Sequence, residues 1–191
     1  GLPPEYEAVE IEDLVRGVVE MCCNFFDRKV AIDVLVRQEG PPVLGNANQL
    51  EQIFMNMLLN ARDALAGERA APAIRVEMDI CTISAESENR PGSYVRVCVE
   101  NNGEGMDEAR QGRIFDPFFS TKELGLGTGL GLSTAYGIAT QHGGWIDCRS
   151  QVGAGTTFEV FLPTTQRPSA VEREERREML GGSETVLVID D

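Results

Sequence analysis

Histidine is nearly absent from this chain, which has a single one, His142, among its 191 residues. This excludes metal sites built from several histidines and limits any histidine catalysis to one imidazole. His142 stands in Gln141-His142-Gly143-Gly144, a pattern typical of a helix C-terminus followed by a glycine cap. The sequence therefore favours a structural role for His142 over a catalytic one.

Basic residues are also scarce. The chain has 17 lysines and arginines against 31 aspartates and glutamates, which gives a formal net charge of −14. Broad binding to nucleic acids or anionic membranes is thereby excluded, although a small basic spot for one phosphate is compatible with this charge. No apolar run approaches the roughly 20 residues of a membrane span, and the chain opens with no signal peptide. We expect a cytoplasmic domain, in a parent protein that is either cytoplasmic or membrane-anchored.

Cysteine pairs of the Cys-x-x-Cys type are missing as well. The five cysteines are Cys22, Cys23, Cys81, Cys98 and Cys148, and most lie in apolar helix or strand patterns. We expect them to be buried free thiols in a reducing compartment.

The spacing of apolar residues predicts helices that alternate with pairs of strands. Helices are predicted over 11–26, 48–65 and 133–141. Alternating or β-branched residues predict strands over 30–36, 74–80, 94–99, 145–149 and 156–162. Single helices between hairpin-joined strands indicate an α+β two-layer sandwich and not a doubly wound parallel sheet.

The chain changes character after residue 163. Residues 171–178 form a run of mixed charges, typical of a solvated linker or an exposed helix. Residues 184–191 then begin a new apolar strand that ends in two aspartates. We predict one domain over 1–163, a charged linker over 164–183, and the truncated first strand of another domain over 184–191.

A glycine-rich segment is the strongest functional signal. Gly125, Gly127, Gly129 and Gly131 stand at every second position, and a helix-compatible stretch follows them. Glycines let backbone N–H groups approach an anion, and a helix N-terminus adds a positive partial charge. The spacing fits neither a Walker A loop nor a Rossmann fingerprint. The segment is interpreted as a phosphate-binding loop of another kind, with a flexible hinge or lid loop as the alternative.

Three other segments accompany this loop. Asn56 and Asn60 are four residues apart, so both amides lie on one side of the second helix. Amide oxygens suit a hard cation such as Mg²⁺; the alternative is that both side chains simply hydrogen-bond or face solvent. Residues 99–106 form a turn able to contact a flat ligand. Residues 113–122 bring three phenylalanines, either as core or as the anchor of a lid, and Lys122, which is placed to meet a phosphate.

In this order the four segments resemble the N, G1, F and G2 boxes of the histidine-kinase catalytic domain, one of the Bergerat-fold ATPases, which include gyrase B, Hsp90 and MutL. The matching stretches are NQLEQIFMNMLLNARDAL, IFDPFFSTKELGLGTGLGLSTAYGI and GAGTTFEVFLP, and the resemblance to hybrid-type sensor kinases covers about residues 8–163. It implies a mixed, mostly antiparallel sheet covered on one face by about three helices. The final stretch, ETVLVIDD, resembles the first strand and acidic pair of a receiver domain.

The resemblance also implies roles for single residues. Asn60 would ligate Mg²⁺, Asn56 would support the metal and the phosphates, and Lys122 would hold the phosphates during catalysis. The implied ATP-binding set is Asn60, Asp63, Asn101, Gly103, Gly105, Met106, Phe115, Lys122, Gly125, Gly127, Thr128, Gly129, Leu130, Gly131 and Thr157.

The implied adenine pocket contains one departure from the family. Gly103 and Gly105 would shape the pocket and Thr157 would lie near the adenine, but the first G1 position, an aspartate in the family, is Asn101 here. Its carbonyl oxygen can still accept a hydrogen bond from the adenine amino group, without the strength of a charged acceptor. A flipped amide would donate instead and would weaken discrimination against guanine. A lost charged hydrogen bond is worth about 1.5–3 kcal/mol, so ATP affinity would fall on the order of tenfold or more.

Asn56 bears on ATP hydrolysis. Hydrolytic relatives carry a glutamate at the corresponding position to activate water, and an amide cannot act as a general base. Attack by water would then be slow, and bound ATP would remain available to a protein nucleophile. Catalysis would depend on the positioning of the reactants and on neutralisation of the phosphate charge. In the family that nucleophile is a histidine on a two-helix dimerisation domain, and His142 does not lie in a matching motif.

The sequence thus predicts the ATP-binding catalytic domain of a two-component hybrid sensor histidine kinase, with ATP and Mg²⁺ as its ligands. Its partners would be a histidine-bearing dimerisation domain and a receiver domain, and the chain itself would be monomeric. Neither nucleic acid nor a membrane surface is expected as a partner. The alternative is a nucleotide-sensing pseudokinase module in which Asn101 weakens ATP binding. A hydrolytic ATPase of the chaperone or gyrase type is disfavoured by Asn56 and by the receiver-like end.

Overall fold

The computed structural model describes residues 6–65, 71–84, 91–119 and 129–165. Its strands are β1 (Glu7–Val9), β2 (Ala31–Val36), β3 (Val43–Gly45), β4 (Ala73–Ile83), β5 (Gly92–Asn101), β6 (Trp145–Gln151) and β7 (Gly155–Pro163). Its helices are α1 (Ile11–Cys23), α2 (Ala47–Ala64), α3 (Glu108–Gln111) and α4 (Gly131–Gln141).

Five of the strands form one sheet in the order β2-β4-β5-β7-β6. β2 runs parallel to β4, and each other neighbouring pair is antiparallel. β1 and β3 pair separately as a small antiparallel sheet, and Val43 of β3 also bridges to Thr164, just after β7. The sheet is therefore mixed and mostly antiparallel, as the resemblance implied.

The long helices α1, α2 and α4 cover one face of the large sheet. Alternate strand residues point into this layer, among them Val76 of β4, Val97 of β5 and Val160 of β7, and each is at most 1% exposed. α2 lies in the middle and packs against both α1 and α4. Its Phe54 is buried, and truncating such a side chain to alanine costs about 3–5 kcal/mol. The predicted two-layer α+β sandwich is confirmed.

The apolar repeat and the N-terminal cap of α2 fix the positions of two predicted site residues. Its apolar residues recur every three or four positions, and those that are buried are Leu50, Ile53, Phe54, Met57, Leu58 and Ala61. Asn46 caps the start of the helix, because its side chain accepts a hydrogen bond from the backbone N–H of Gln49 at 3.0 Å. With the helix fixed at this end, Asn56 and Asn60 fall in its C-terminal half, beside the ends of the strands.

The opposite face of the sheet carries a ladder of ion pairs. Arg96 of β5 donates two hydrogen bonds to Asp79, its register partner on β4, at 2.6 and 2.9 Å, and a third to Glu159 at 3.0 Å. Arg37 makes a bidentate pair with Glu77, at 2.6 and 2.8 Å. These bonds hold the pKa of Glu77 below its ordinary value. This face is therefore polar, whereas the face toward the helices is apolar.

The structure departs from the predicted elements mainly where they are short. β1 and β3 have three residues each and were not predicted; the segment of β3 was interpreted as loop. α1 ends at Cys23, short of the predicted end at residue 26, because Asn24 and Phe25 enter a turn whose N–H groups bond to the carbonyls of Met21 and Cys22.

The cysteines are free thiols, as expected, but they are not all buried. Cys22 is fully buried, whereas its neighbour Cys23 is exposed on the outer side of α1. Burial raises the pKa of the Cys148 thiol to about 12 and the pKa values of Cys22 and Cys98 to about 11. These three thiols are therefore protonated and weakly nucleophilic at neutral pH.

Beyond β7 the structure describes the chain only as far as residue 165. β7 ends at Pro163, while the predicted strand over 184–191 and the predicted linker from residue 166 onward lie outside the described residues. Within the described ranges, no helix is long and apolar enough to cross a membrane.

Candidate functional site

A cavity of about 200 Å³ opens at one end of the sandwich, between the C-terminal end of α2, the end of β5 and the start of β7. It is lined by Asn60, Asp63, Ala64, Asn101, Glu104, Gly105, Met106, Arg110, Leu132, Thr156 and Phe158. Most of the predicted site residues in the second helix and the G1-like turn therefore meet in one place.

The two asparagines of α2 are fixed relative to each other. The side-chain Nδ2 of Asn60 donates a hydrogen bond to the backbone carbonyl of Asn56 at 2.7 Å. This bond assigns the orientation of the Asn60 amide, so that its Oδ1 is left to accept from, or to ligate, a group in the cavity. Amide oxygens of this kind are ligands for hard cations.

One polar atom of Asn56 has no hydrogen-bond partner among the described residues. Its Nδ2 is buried and makes no hydrogen bond within the described part of the protein. Gly131, the first residue of α4, lies beside it, since a Cβ built on Gly131 would be 3.4 Å from Asn56 Oδ1. An unsatisfied buried donor costs about 1–3 kcal/mol. A ligand that brings an oxygen to the start of α4 would remove this cost.

Asn101 is held in one orientation by the backbone. It is 2% exposed, its Oδ1 accepts a hydrogen bond from the N–H of Gly103 at 2.9 Å, and its Nδ2 donates to the carbonyl of Thr156 at 3.2 Å. Exchanging the two amide atoms would set donor against donor and acceptor against acceptor. The structure therefore disfavours the flipped amide that the sequence left open.

The G1-like turn requires glycine at two positions. A Cβ on Gly103 would lie 2.5 Å from the carbonyl oxygen of Ala64 at the end of α2. Gly105 has φ +68°, and a Cβ there would lie 1.9 Å from the carbonyl oxygen of Gln151. The turn is thus pressed between α2 and β6, and this contact brings Asn101 and Met106 to the cavity.

The start of α4 forms another border of the site. Gly129 has φ +65°, and its carbonyl accepts a hydrogen bond from the N–H of Phe118 at 3.0 Å. Phe118 itself has a positive φ of 66° and a side chain that is 77% exposed. Leu130 and Gly131 then begin α4, whose first backbone N–H groups have no partners inside the helix. This helix start next to Asn56 is suited to an anion.

The comparisons with known proteins decide the family. Residues 45–166 match the family described as histidine kinase-, DNA gyrase B-, and HSP90-like ATPase. The chain belongs to this family of ATPases. The resemblance deduced from the four motifs is thereby confirmed.

Individual relatives of the ATPase domain are sensor kinases. The chain is 34% identical to sensor kinase CckA of Brucella abortus (strain 2308) over 97% of its own length, and 31% identical to sporulation kinase E of Bacillus subtilis (strain 168) over 90%. It spans 21% of the length of each of these two proteins. The nucleotide-free catalytic domain of histidine kinase ThkA superposes with a TM-score of 0.68 at 27% identity, over 84% of this chain and 97% of that one. None of these similarities supports the pseudokinase alternative.

Some predicted residues of the ATPase domain lie away from the cavity. Phe115 packs against the ring of Tyr136, with ring centroids 5.0 Å apart. Thr156, and not Thr157, lines the cavity; Thr157 is the register partner of Glu100 and faces the other side of the sheet. The predicted phosphate-binding residues Lys122, Gly125, Gly127 and Thr128 lie outside the described residues.

The structure adds residues that sequence reasoning missed. Glu104, Leu132 and Phe158 line the cavity, and Arg110 is the one basic side chain that does so among the described residues. Arg110 lies on the short helix α3, and its Nε is 4.0 Å from Asp107. Glu104, Leu132 and Phe158 lie inside motif segments that the sequence singled out, but no role was assigned to them there. Arg110 lies outside these segments and reaches the cavity only through the packing of α3.

Proposed function

We propose that this chain is the ATP-binding catalytic domain of a hybrid sensor histidine kinase, which transfers the γ-phosphoryl group of ATP to a histidine on a dimerisation domain. The observation that carries the proposal is the pair Asn56 and Asn60 beside the start of α4, inside a domain of the ATPase family. Both positions present amides, and neither can remove a proton from water.

The adenine would be recognised at the end of β5. The Oδ1 of Asn101 already accepts one hydrogen bond, from Gly103 N–H, and its second lone pair is free to accept from an exocyclic amino group. Adenine offers a donor at this position and guanine an acceptor. The fixed amide thus favours ATP over GTP, although more weakly than a carboxylate would.

Mg²⁺ fits the residues present. Asn60 Oδ1 is an oriented oxygen ligand in the cavity, and among the described residues no cluster of three His, Cys, Asp or Glu side chains is placed to hold a metal ion. Such a site would take its remaining ligands from phosphate oxygens and water, as Mg²⁺ sites commonly do. When bound, the ion would neutralise phosphate charge.

The remaining residues would position the triphosphate. Asn56 Nδ2, which has no partner of its own in the described structure, would donate to a phosphate oxygen. The backbone N–H groups at the start of α4 would add further donors, and Lys122 a positive charge. Because the amides of Asn56 and Asn60 cannot act as general bases, attack by water would be slow, and the phosphoryl group would be kept for a histidine brought in by the dimerisation domain. A receiver domain would then accept it. The chain alone would be a monomer.

Calorimetric titration tests ATP binding directly. The chain would be titrated with a non-hydrolysable ATP analogue and with GTP, each with and without Mg²⁺. We expect Mg²⁺-dependent binding that prefers the ATP analogue and is lost in Asn60→Ala. Asn24→Ala is the matched control, since Asn24 caps the exposed end of α1. Equal binding of both nucleotides, or none, would contradict the proposal.

Hydrolysis distinguishes a kinase domain from a hydrolytic ATPase. We expect the chain to hydrolyse ATP very slowly, and Asn56→Glu, which supplies a general base, to raise the rate by about 10²-fold. Rapid hydrolysis by the unmodified chain, abolished by Asn60→Ala, would show instead that the site activates water.

A further inference from the structure

A second cavity, of about 390 Å³, lies at the other end of the sheet. It is a groove between the N-terminal end of α1 and the segment that follows β2, and it is lined by Glu10, Ile11, Glu12, Asp13, Val36, Gln38, Glu39, Gly40, Pro41, Met78, Ile80 and Val95. Nothing in the proposed ATP reaction uses these residues.

The floor of the groove is apolar. Met78 and Val95 are almost fully buried beneath it, and Val36 and Ile80 are half-buried. Gly40 rests directly on this floor, because a Cβ there would lie 2.0 Å from Ile80 Cδ1. The volume is comparable with that of ligand pockets, which start at about 300 Å³, and is sufficient for one or two large apolar side chains.

The rim of the groove is acidic on both sides. Asp13 lies in the first turn of α1 and Glu10 just before it, whereas Glu39 lies across the groove on the segment after β2. None of the three forms an ion pair within the described ranges, and the only lining carboxylate that does is Glu12, which pairs with Arg16 at 2.8 Å. Among the described residues, no lysine or arginine lines the groove.

The acids of the rim are only partly explained by the stability of α1. Acidic residues in a first turn stabilise the positive end of a helix, which accounts for Asp13. Glu39 lies outside any helix, and it faces the same groove as Glu10. Two opposed carboxylate-bearing edges above an apolar floor are complementary to a ligand that is basic at its ends and apolar in its middle.

We propose that this groove binds a basic segment of a partner protein, with an apolar side chain inserted between α1 and the sheet and flanking lysines or arginines against Glu10, Asp13 and Glu39. A second copy of this chain is a poor occupant, because its net charge of −14 repels the acidic rim. An anionic ligand is repelled for the same reason.

The groove and the ATP cavity are separate. β5 connects them: Val95 lies at the groove and Asn101 at the cavity, and six residues of strand span about 20 Å. A partner in the groove therefore leaves the nucleotide site open, and binding of the two ligands is expected to be independent to within a factor of about two.

The test uses the chain labelled with ¹⁵N and a synthetic hexapeptide in which two basic residues flank each side of a Leu-Phe pair. A second peptide replaces Leu-Phe by Gly-Ser and keeps the charge. We expect NMR shift changes confined to residues 10–13, 36–41, 78–80 and 95 with the first peptide, and binding at least about tenfold weaker with the second.

Charge-reversal variants localise the interaction. The double variant Asp13→Lys and Glu39→Lys should weaken binding of the first peptide by about tenfold. Glu20→Lys, on the same helix but about 10 Å beyond Asp13, should leave binding within about twofold. Equal loss in both variants, equal binding of both peptides, or shifts spread over the surface would show non-specific attraction to an acidic protein. Shifts that depend on protein concentration, with a dimer in light scattering, would assign the groove to self-association. Each of these results overturns the proposal.

Discussion

The buried imidazole of His142 accepts a hydrogen bond from the backbone N–H of Asn46 through Nε2, at 3.2 Å. Its other nitrogen, Nδ1, lies 2.8 Å from the carbonyl of Ile138 and donates to it. One ring therefore joins the end of α4 to the residue just before α2, and Tyr6 stacks on its outer side with centroids 5.0 Å apart. The structural role that the sequence favoured for His142 is the role the structure shows.

Removing this ring should destabilise the fold. In His142→Ala the N–H of Asn46 loses its acceptor while it remains partly buried, and we expect the free energy of unfolding to fall by about 1–3 kcal/mol. Urea denaturation followed by circular dichroism measures the change. Tyr6→Phe is the control, since it keeps the stacked ring and should be nearly neutral. An unchanged midpoint in His142→Ala would show that water replaces the imidazole without cost.

Two glycines should respond to alanine in opposite directions. Gly105→Ala places a Cβ 1.9 Å from the carbonyl oxygen of Gln151 at a positive φ, so we expect a loss of at least about 2 kcal/mol together with loss of nucleotide binding. Gly17, inside α1, has nothing within 4 Å of a new Cβ. Gly17→Ala should therefore stabilise the protein by about 0.5–1 kcal/mol. Thermal unfolding of both variants shows whether each change raises or lowers the melting temperature. An unchanged melting temperature in Gly105→Ala would contradict the packing described for the turn.

Asn101→Asp should strengthen nucleotide binding and weaken the fold. The carboxylate is a stronger acceptor for an adenine amino group, and we expect about tenfold tighter binding of an ATP analogue by calorimetry. The same change removes the donor to the Thr156 carbonyl and sets two acceptors against each other, so the melting temperature without nucleotide should fall. Unchanged affinity would mean that residue 101 does not contact the base.

Acid should weaken the ion-pair face of the sheet. The hydrogen bonds from Arg37 lower the pKa of Glu77 below 4.5 in the folded protein. The stabilisation that this pair contributes is therefore complete above pH 4.5, where Glu77 is ionised in both states, and is lost as the pH falls through the lowered folded value. Unfolding free energies measured between about pH 3 and about pH 6 should show a smaller slope in Glu77→Gln than in the unmodified chain. Glu20→Gln, at an exposed position without an ion pair in the described structure, should not change the slope.

The sequence predicts those features that rest on local periodicity. α2 repeats its apolar residues over five turns and is capped by Asn46, so its extent was predicted to within one residue at each end. β1 and β3 are held by contacts between distant parts of the chain, namely their mutual pairing and the bridge from Val43 to Thr164, and three residues are too few to show a period. Their absence from the prediction is thus a consequence of tertiary contacts.

The residues of the candidate site also divide into those that a local motif predicts and those that only tertiary contacts bring to the cavity. Asn60, Asn101 and Gly105 stand in recognisable motifs and were predicted. Arg110 approaches the cavity because α3 packs beside β6, which no motif encodes. The orientation of the Asn101 amide depends on Thr156, which lies on another strand, so the sequence alone left both orientations open.

The parallel pair β2 and β4 has a consequence for the order of folding. β4 and β5 begin to pair at Ile83 and Gly92, close in the chain, whereas β2 reaches β4 through Ala31 and Ala73, with all of α2 between them. Closing the longer loop, between β2 and β4, costs more chain entropy before any stabilising contact can form. The β4–β5 hairpin is therefore the natural nucleus, and the edge strand β2 joins after α2 has docked on it. During synthesis on the ribosome, β2 emerges first of these strands and stays unpaired until β4, its partner, has been made.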